Sequence, residues 1–158
     1  MSRLGERIIA SAQQQVGAPF EHHFKPQNLC DGGRVTVDAC MERGMDPESG
    51  FDCSGLTIAS FAIVMGLATA DWPQDLRHTK QLEAFAVAVP AEPGDVCLYY
   101  SANGRTHAGI AVTATTAIHA SGVTKRVEQG EVTDMYGDFV VIKSISAAAL
   151  RQLVLNRE

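Results

Sequence analysis

Phe51-Asp52-Cys53-Ser54-Gly55-Leu56-Thr57-Ile58-Ala59-Ser60-Phe61-Ala62-Ile63-Val64-Met65-Gly66 is the stretch on which the fold turns. Turn-forming residues (Pro47, Ser49, Gly50) lead up to it, and from Leu56 onward the chain is apolar on nearly every side. A helix apolar all round belongs in the middle of a domain. The spacing predicts a central helix over 53–66 with Cys53 in its first turn. The apolar run 56–70 is interrupted by Thr57, Ser60, Gly66 and Thr69 and falls short of the roughly 18 to 20 residues that span a bilayer, so no membrane insertion is expected.

On the N-terminal side, Leu4, Ile8, Ile9, Ala12 and Val16 recur at helical spacing, which predicts an amphipathic first helix ending at Gly17. Residues 21–50 carry turn chemistry throughout (Pro26, Asp31-Gly32-Gly33, Gly44, Asp46-Pro47) and read as a long loop, with room for a short helix or strand over 34–42. Loops of that length tend to carry function. On the C-terminal side, 74–85 reads as one further helix. Short β-rich runs separated by turns follow at 96–100, 107–113, 116–120, 123–127 and 139–144. A last helix is expected over 146–155, with Ser146 as N-cap. Helices first and an antiparallel meander second define an α+β fold, with the Cys53 helix packed on the sheet.

The 158 residues fit a single domain, 1–158, large enough to bury a core without staples. With 46% hydrophobic and 20% charged residues, the composition is that of a globular protein. A net charge of −5 with scattered Lys and Arg argues against a nucleic-acid partner. Among the four cysteines no pair has C-x-x-C spacing, and His22 and His23 complete no zinc pattern, so no metal is expected. Cys30 and Cys40 are either free thiols or, in an oxidising compartment, a disulfide.

The chemistry centres on Cys53. The first N–H groups of a helix lack internal partners and carry the positive end of the helix dipole. Both effects favour thiolate, the nucleophilic form, and the same N–H groups can bind an oxyanion. A cysteine taken alone is better read as a small packing residue, so a base is needed to complete the case. Two histidines supply it. His107 opens one predicted strand and His119 closes the next, so neighbouring antiparallel strands would bring the rings together. One would serve the cysteine and the other would orient the first.

Four motifs in this order resemble the NlpC/P60 family of papain-like cysteine peptidases. Residues 51–56 resemble its nucleophile motif, and Glu92-Pro93-Gly94-Asp95-Val96 resembles its Pro-Gly-Asp-Leu element. Residues 106–112 are similar to its His-Val-Gly-Ile strand, and 117–121 to its third motif. Upstream, 15–20 looks like the end of its first helix, so the likeness spans roughly residues 5–128. The resemblance implies a papain-like fold, Cys53 as nucleophile, His107 as base and then acid, and His119 as orienter. Asp52 and Ser54 are implied as substrate contacts; helix N-terminal capping is an even competitor for both. No cofactor is implied. The substrate implied is a peptidoglycan stem peptide, most often cut at the γ-D-glutamyl bond to the diamino acid.

The likeness has departures. Phe20 stands where the family usually has a tyrosine, so a hydroxyl that could assist substrate or oxyanion binding is missing or is replaced by another group, His22 and His23 among the candidates. Glu21-His22-His23-Phe24 replaces the usual Trp-Gly-Gly-like turn, and Trp72-Pro73-Gln74 the usual Pro-Arg. The segment 25–49 is expected near the mouth of the site, there to narrow substrate choice or dock a partner. The stretch 1–15 has no secretory h-region. The expectation is synthesis in the cytoplasm and action in the periplasm or cell wall after signal-independent delivery. An antibacterial effector with an immunity or delivery partner, a phage-type enzyme and a wall-recycling enzyme all fit. The competing functions are a papain-like acyltransferase or other amidase and a non-catalytic interaction module on the same fold; related acyltransferases generally have histidine before cysteine, so the order Cys53 before His107 weighs against that branch.

Overall fold

The computed structural model describes residues 2–17, 53–67, 71–77, 79–100, 106–121, 126–131 and 140–157, together with Thr124. The expected loop at 21–50, with Phe20, His22, His23, Cys30 and Cys40, lies outside them. Helices α1 (Arg3–Gln13), α2 (Cys53–Met65), α3 (Thr79–Glu83) and α4 (Ala147–Leu155) accompany strands β1 (Val96–Tyr100), β2 (Thr106–Ala111), β3 (Thr116–Ser121), β4 (Arg126–Glu131) and β5 (Val140–Ile145). The strands form one antiparallel sheet in the order β4-β3-β2-β1-β5. Among the described residues no helix is long and apolar enough to cross a membrane.

Alternation along each strand divides the side chains between two faces. Leu98, Ala108, Ile110, Ile118, Ala120 and Val127 point to the helices and form the main core with Ile8, Leu56, Ile58, Phe61, Trp72 and Leu150. Helix α2 packs against β2 and β3 in this core. Its apolar surface is the reason it takes the centre, and its buried Ser60 is satisfied by donating to the Leu56 carbonyl at 2.8 Å. The opposite face carries a smaller cluster that includes Cys97, Tyr99, Ala111 and Ala117.

Helix α1 stops at Gln13, short of the expected end at Gly17, and two further expected elements differ in the structure. In place of a single helix over 74–85 there is a 3-10 turn, Gln74–Leu76, followed by α3. The break lies at Arg77, whose backbone N–H donates to the Gln81 side chain and whose guanidinium turns inward to the Trp72 carbonyl at 2.6 Å. The fourth strand begins at Arg126 rather than near residue 123. Ser121 takes the Thr124 N–H on its hydroxyl, which places Thr124 in the turn, and Arg126 then pairs with Ser121.

The turn into β1 joins the two ends of the domain. Glu92-Pro93-Gly94-Asp95 closes with the Asp95 N–H on the Glu92 carbonyl at 3.0 Å, and Gly94 has φ +90°, the pattern of a type II turn. The buried Asp95 carboxylate accepts from the Glu92 N–H at 2.9 Å and from the Ala147 N–H, also at 2.9 Å. Asp95 thereby satisfies an orphan donor at the start of α4, next to the Ser146 cap, which takes Ala149 N–H.

Candidate active site

Each candidate is held by an element the core fixes. Cys53 opens α2, so its backbone occupies the first turn, where N–H groups have no helical partner. His107 lies on β2, directly opposite Tyr99 of β1. His119 lies on β3, the strand on the other side of β2. The two imidazoles meet across the sheet, with His107 Nε2 and His119 Nδ1 2.9 Å apart. Their rings stand edge to face with centroids 5.0 Å apart. His107 is 5% exposed and His119 fully buried, so little water competes for this contact.

The β1 side chains facing the pair, Cys97 and Tyr99, are uncharged. Burial pushes the Cys97 thiol up to about 11, and it pushes the Tyr99 phenol further above its ordinary value. Burial also lowers the pKa of His119, against an opposing pull from the Glu128 carboxylate. A neutral His119 has a lone pair on one ring nitrogen, so Nδ1 can accept from His107 Nε2–H. That contact fixes the ring plane of His107 through Nε2.

Gly109 explains how the two rings come so close. A Cβ built there would lie 3.2 Å from the His119 Cβ and 3.1 Å from the Ile118 carbonyl. Both neighbours belong to a paired, buried strand and have little room to yield. Gly109→Ala is therefore expected to displace His119 from His107 while the domain still folds. Displacements of this size cost roughly tenfold to 100-fold in kcat. Unchanged kcat in a variant with a native circular-dichroism spectrum would refute this account of the glycine.

The structure thus brings His107 and His119 together. Asp52 lies outside the described residues, and for Cys53 and Ser54 the description covers the helical backbone. Neither Gly109 nor Tyr99 is among the site residues expected from the sequence. Gly109 could have been found from its spacing, two residues after His107 and so on the same strand face. Tyr99 depends on the β1–β2 register, which no local pattern reveals.

With this fold and this histidine pair in place, comparison with known proteins is direct. The model of the NlpC/P60 family matches residues 41–146, most of the chain. The chain belongs to the NlpC/P60 family of cysteine peptidases. It is 30% identical over 140 residues to protein P54 of Enterococcus faecium, a match covering 87% of this chain but 22% of that protein. The chain therefore spans about a fifth of that relative. Among solved structures, the NlpC/P60 domain of the peptidoglycan hydrolase SagA is 28% identical, with a TM-score of 0.56 over 87% of this chain and 97% of that one. The P60 domain of an antigen from M. avium subspecies paratuberculosis is 22% identical, with a TM-score of 0.59 over 90% and 93% of the two chains, and shows the shared fold.

Proposed function

We propose that the domain hydrolyses an amide bond in peptidoglycan stem peptides, with Cys53 as nucleophile, His107 as general base and acid, and His119 as its orienter. The observation that carries this reading is the buried His107–His119 contact of 2.9 Å, made between the neighbouring strands β2 and β3. The likeness to SagA, a peptidoglycan hydrolase, supports the substrate class. The preferred bond is the γ-D-glutamyl bond to the diamino acid.

The chemistry follows from the proton inventory. His107 Nδ1 takes the Cys53 proton, and His119 Nδ1 accepts the hydrogen bond from Nε2–H of the imidazolium so formed. The thiolate attacks the amide carbonyl, and the helix N–H groups stabilise the oxyanion. The tetrahedral intermediate collapses to a thioester as His107 delivers its proton to the leaving amine. Water, deprotonated by the same imidazole, then attacks the thioester and releases the acid and Cys53. Asp52 and Ser54 flank the nucleophile and contact the amino end of the stem.

Defined muropeptides with different stem lengths and diamino acids, incubated with wild type and with Cys53→Ala and read by mass spectrometry, test the proposal. Wild type is expected to release a fragment with a new amino terminus, and Cys53→Ala none. No cleavage of any stem by wild type would refute it.

A further inference from the structure

The histidine pair does not end at His119. The β3–β4 register sets Glu128 directly opposite His119, so both side chains leave the same face of the sheet. Alternation confirms the face: Val127 points to the helix core, and Glu128 points away from it. Glu128 is half-buried, and its Oε1 is shielded from solvent with no hydrogen-bond partner among the described residues. A shielded carboxylate oxygen without a partner is costly, and it becomes favourable when a positive charge appears nearby.

We infer that Glu128 is a positioning residue that acts through His119, its carboxylate holding the positive charge on the His107–His119 pair while the Cys53 thiolate is formed. This rests on the proposed roles of Cys53 and His107 and extends the relay by one residue, onto the edge strand. Other described groups could set that charge. On the same face these are the exposed Arg126 of β4, the Tyr99 phenol and Cys97 thiol of β1, and Asp95 ahead of β1. Arg126 has the wrong sign to stabilise an imidazolium. Burial keeps Tyr99 and Cys97 protonated at neutral pH. Asp95 spends its carboxylate on two backbone N–H groups. The charged groups of α1 (Arg3, Glu6 and Arg7) belong to its first two turns and are exposed, and α2 has no charged residue. Glu128 alone among these is an anion set beside the pair, and it also opposes the effect of burial on His119.

Alkylation of Cys53 by iodoacetate tests this without any cell-wall substrate, its rate read by mass spectrometry of the Cys53 peptide across pH. The anionic reagent reacts fastest with a thiolate beside an imidazolium. The profile is therefore bell-shaped, and its alkaline limb reports loss of the imidazolium proton. Glu128→Gln removes the charge at nearly constant shape, and its alkaline limb is expected to fall by on the order of half a unit to one unit. Glu128→Asp keeps the charge and is expected to stay within about 0.3 unit of wild type. A merely structural glutamate would change melting temperature without this split. If the glutamine variant does not fold, Glu128→Asn against Glu128→Asp makes the same comparison. A bell-shaped wild-type profile with an unmoved alkaline limb in the neutral variant overturns the inference alone. An ordinary-thiol profile in wild type overturns the catalytic reading and the inference with it.

Discussion

A His107→Ala variant is expected to lose roughly 10³- to 10⁴-fold in kcat/KM on a muropeptide substrate while keeping its fold. The imidazole has two tasks in each half-reaction, forming the nucleophile and delivering a proton, and no other described side chain is placed to take them over. Helix-start activation of Cys53 and the oxyanion donors survive the substitution, so the loss stops short of the uncatalysed rate. Removing His119 is milder. His119→Ala leaves the base in place but frees its ring, and a loss of about 10- to 100-fold is expected. Acid gives an independent check. Burial holds His119 below the ordinary histidine value of 6.5, so it is neutral at neutral pH and accepts through Nδ1. Protonation on acidification fills that lone pair and breaks the 2.9 Å contact. An acid limb of kcat below 6.5 is thus expected, and it should flatten in His119→Ala. Steady-state kinetics across pH, with thermal unfolding as the fold control, decides both points. Activity of His107→Ala within tenfold of wild type would remove it as the base.

Those expectations rest on features that the sequence made legible to different degrees. The start of α2 at Cys53 was readable because turn residues pass directly into an apolar run. The meeting of His107 and His119 was readable as a conditional, since two short strands separated by a tight turn have to be antiparallel neighbours. The start of β4 was misplaced by three residues because β-branched character marks Val123 but says nothing of the turn. There the Ser121 hydroxyl, a side chain of the preceding strand, decides the boundary. The break at Arg77 was hidden for a similar reason. Its side chain and amide are engaged by Trp72 and Gln81, and helical periodicity carries no trace of that. Glu128 lies just past the run 123–127 expected as the fourth strand, and nothing in the local pattern singles it out. Only the register with β3 places it beside His119. Local pattern shows which residues form an element, whereas the long-range contacts that complete the site depend on how elements meet.

Gly94→Ala is the substitution expected to cost the most stability, and Gly5→Ala shows why. Gly94 has φ +90°, which a side chain resists, and its N–H is held by the Ala111 carbonyl at 2.8 Å, so the turn cannot relax. A Cβ there would also overlap the Cα of Gly5 and lie 2.8 Å from the Gly5 carbonyl oxygen. Strain and overlap add, and a loss of about 3 kcal/mol, or roughly 10 °C in Tm for a domain of this size, is expected. Gly5 separates the two contributions. It lies inside α1, where alanine would ordinarily add about 1 kcal/mol of stability through helix propensity. Its Cβ, however, would run into the Pro93 carbonyl, a backbone oxygen that cannot swing aside as a side chain would. Gly5→Ala is therefore expected to destabilise by about 2 kcal/mol, the opposite sign to a solvent-facing helical glycine. Thermal unfolding of both variants measures this, and a Gly5→Ala protein more stable than wild type would show that α1 and the Pro93–Gly94 turn are not in close contact. The consequence reaches the site. This turn feeds β1, and β1 sets the register of His107 through its pairing with Tyr99. Loosening the glycine contact should cost activity at temperatures below the unfolding transition as well.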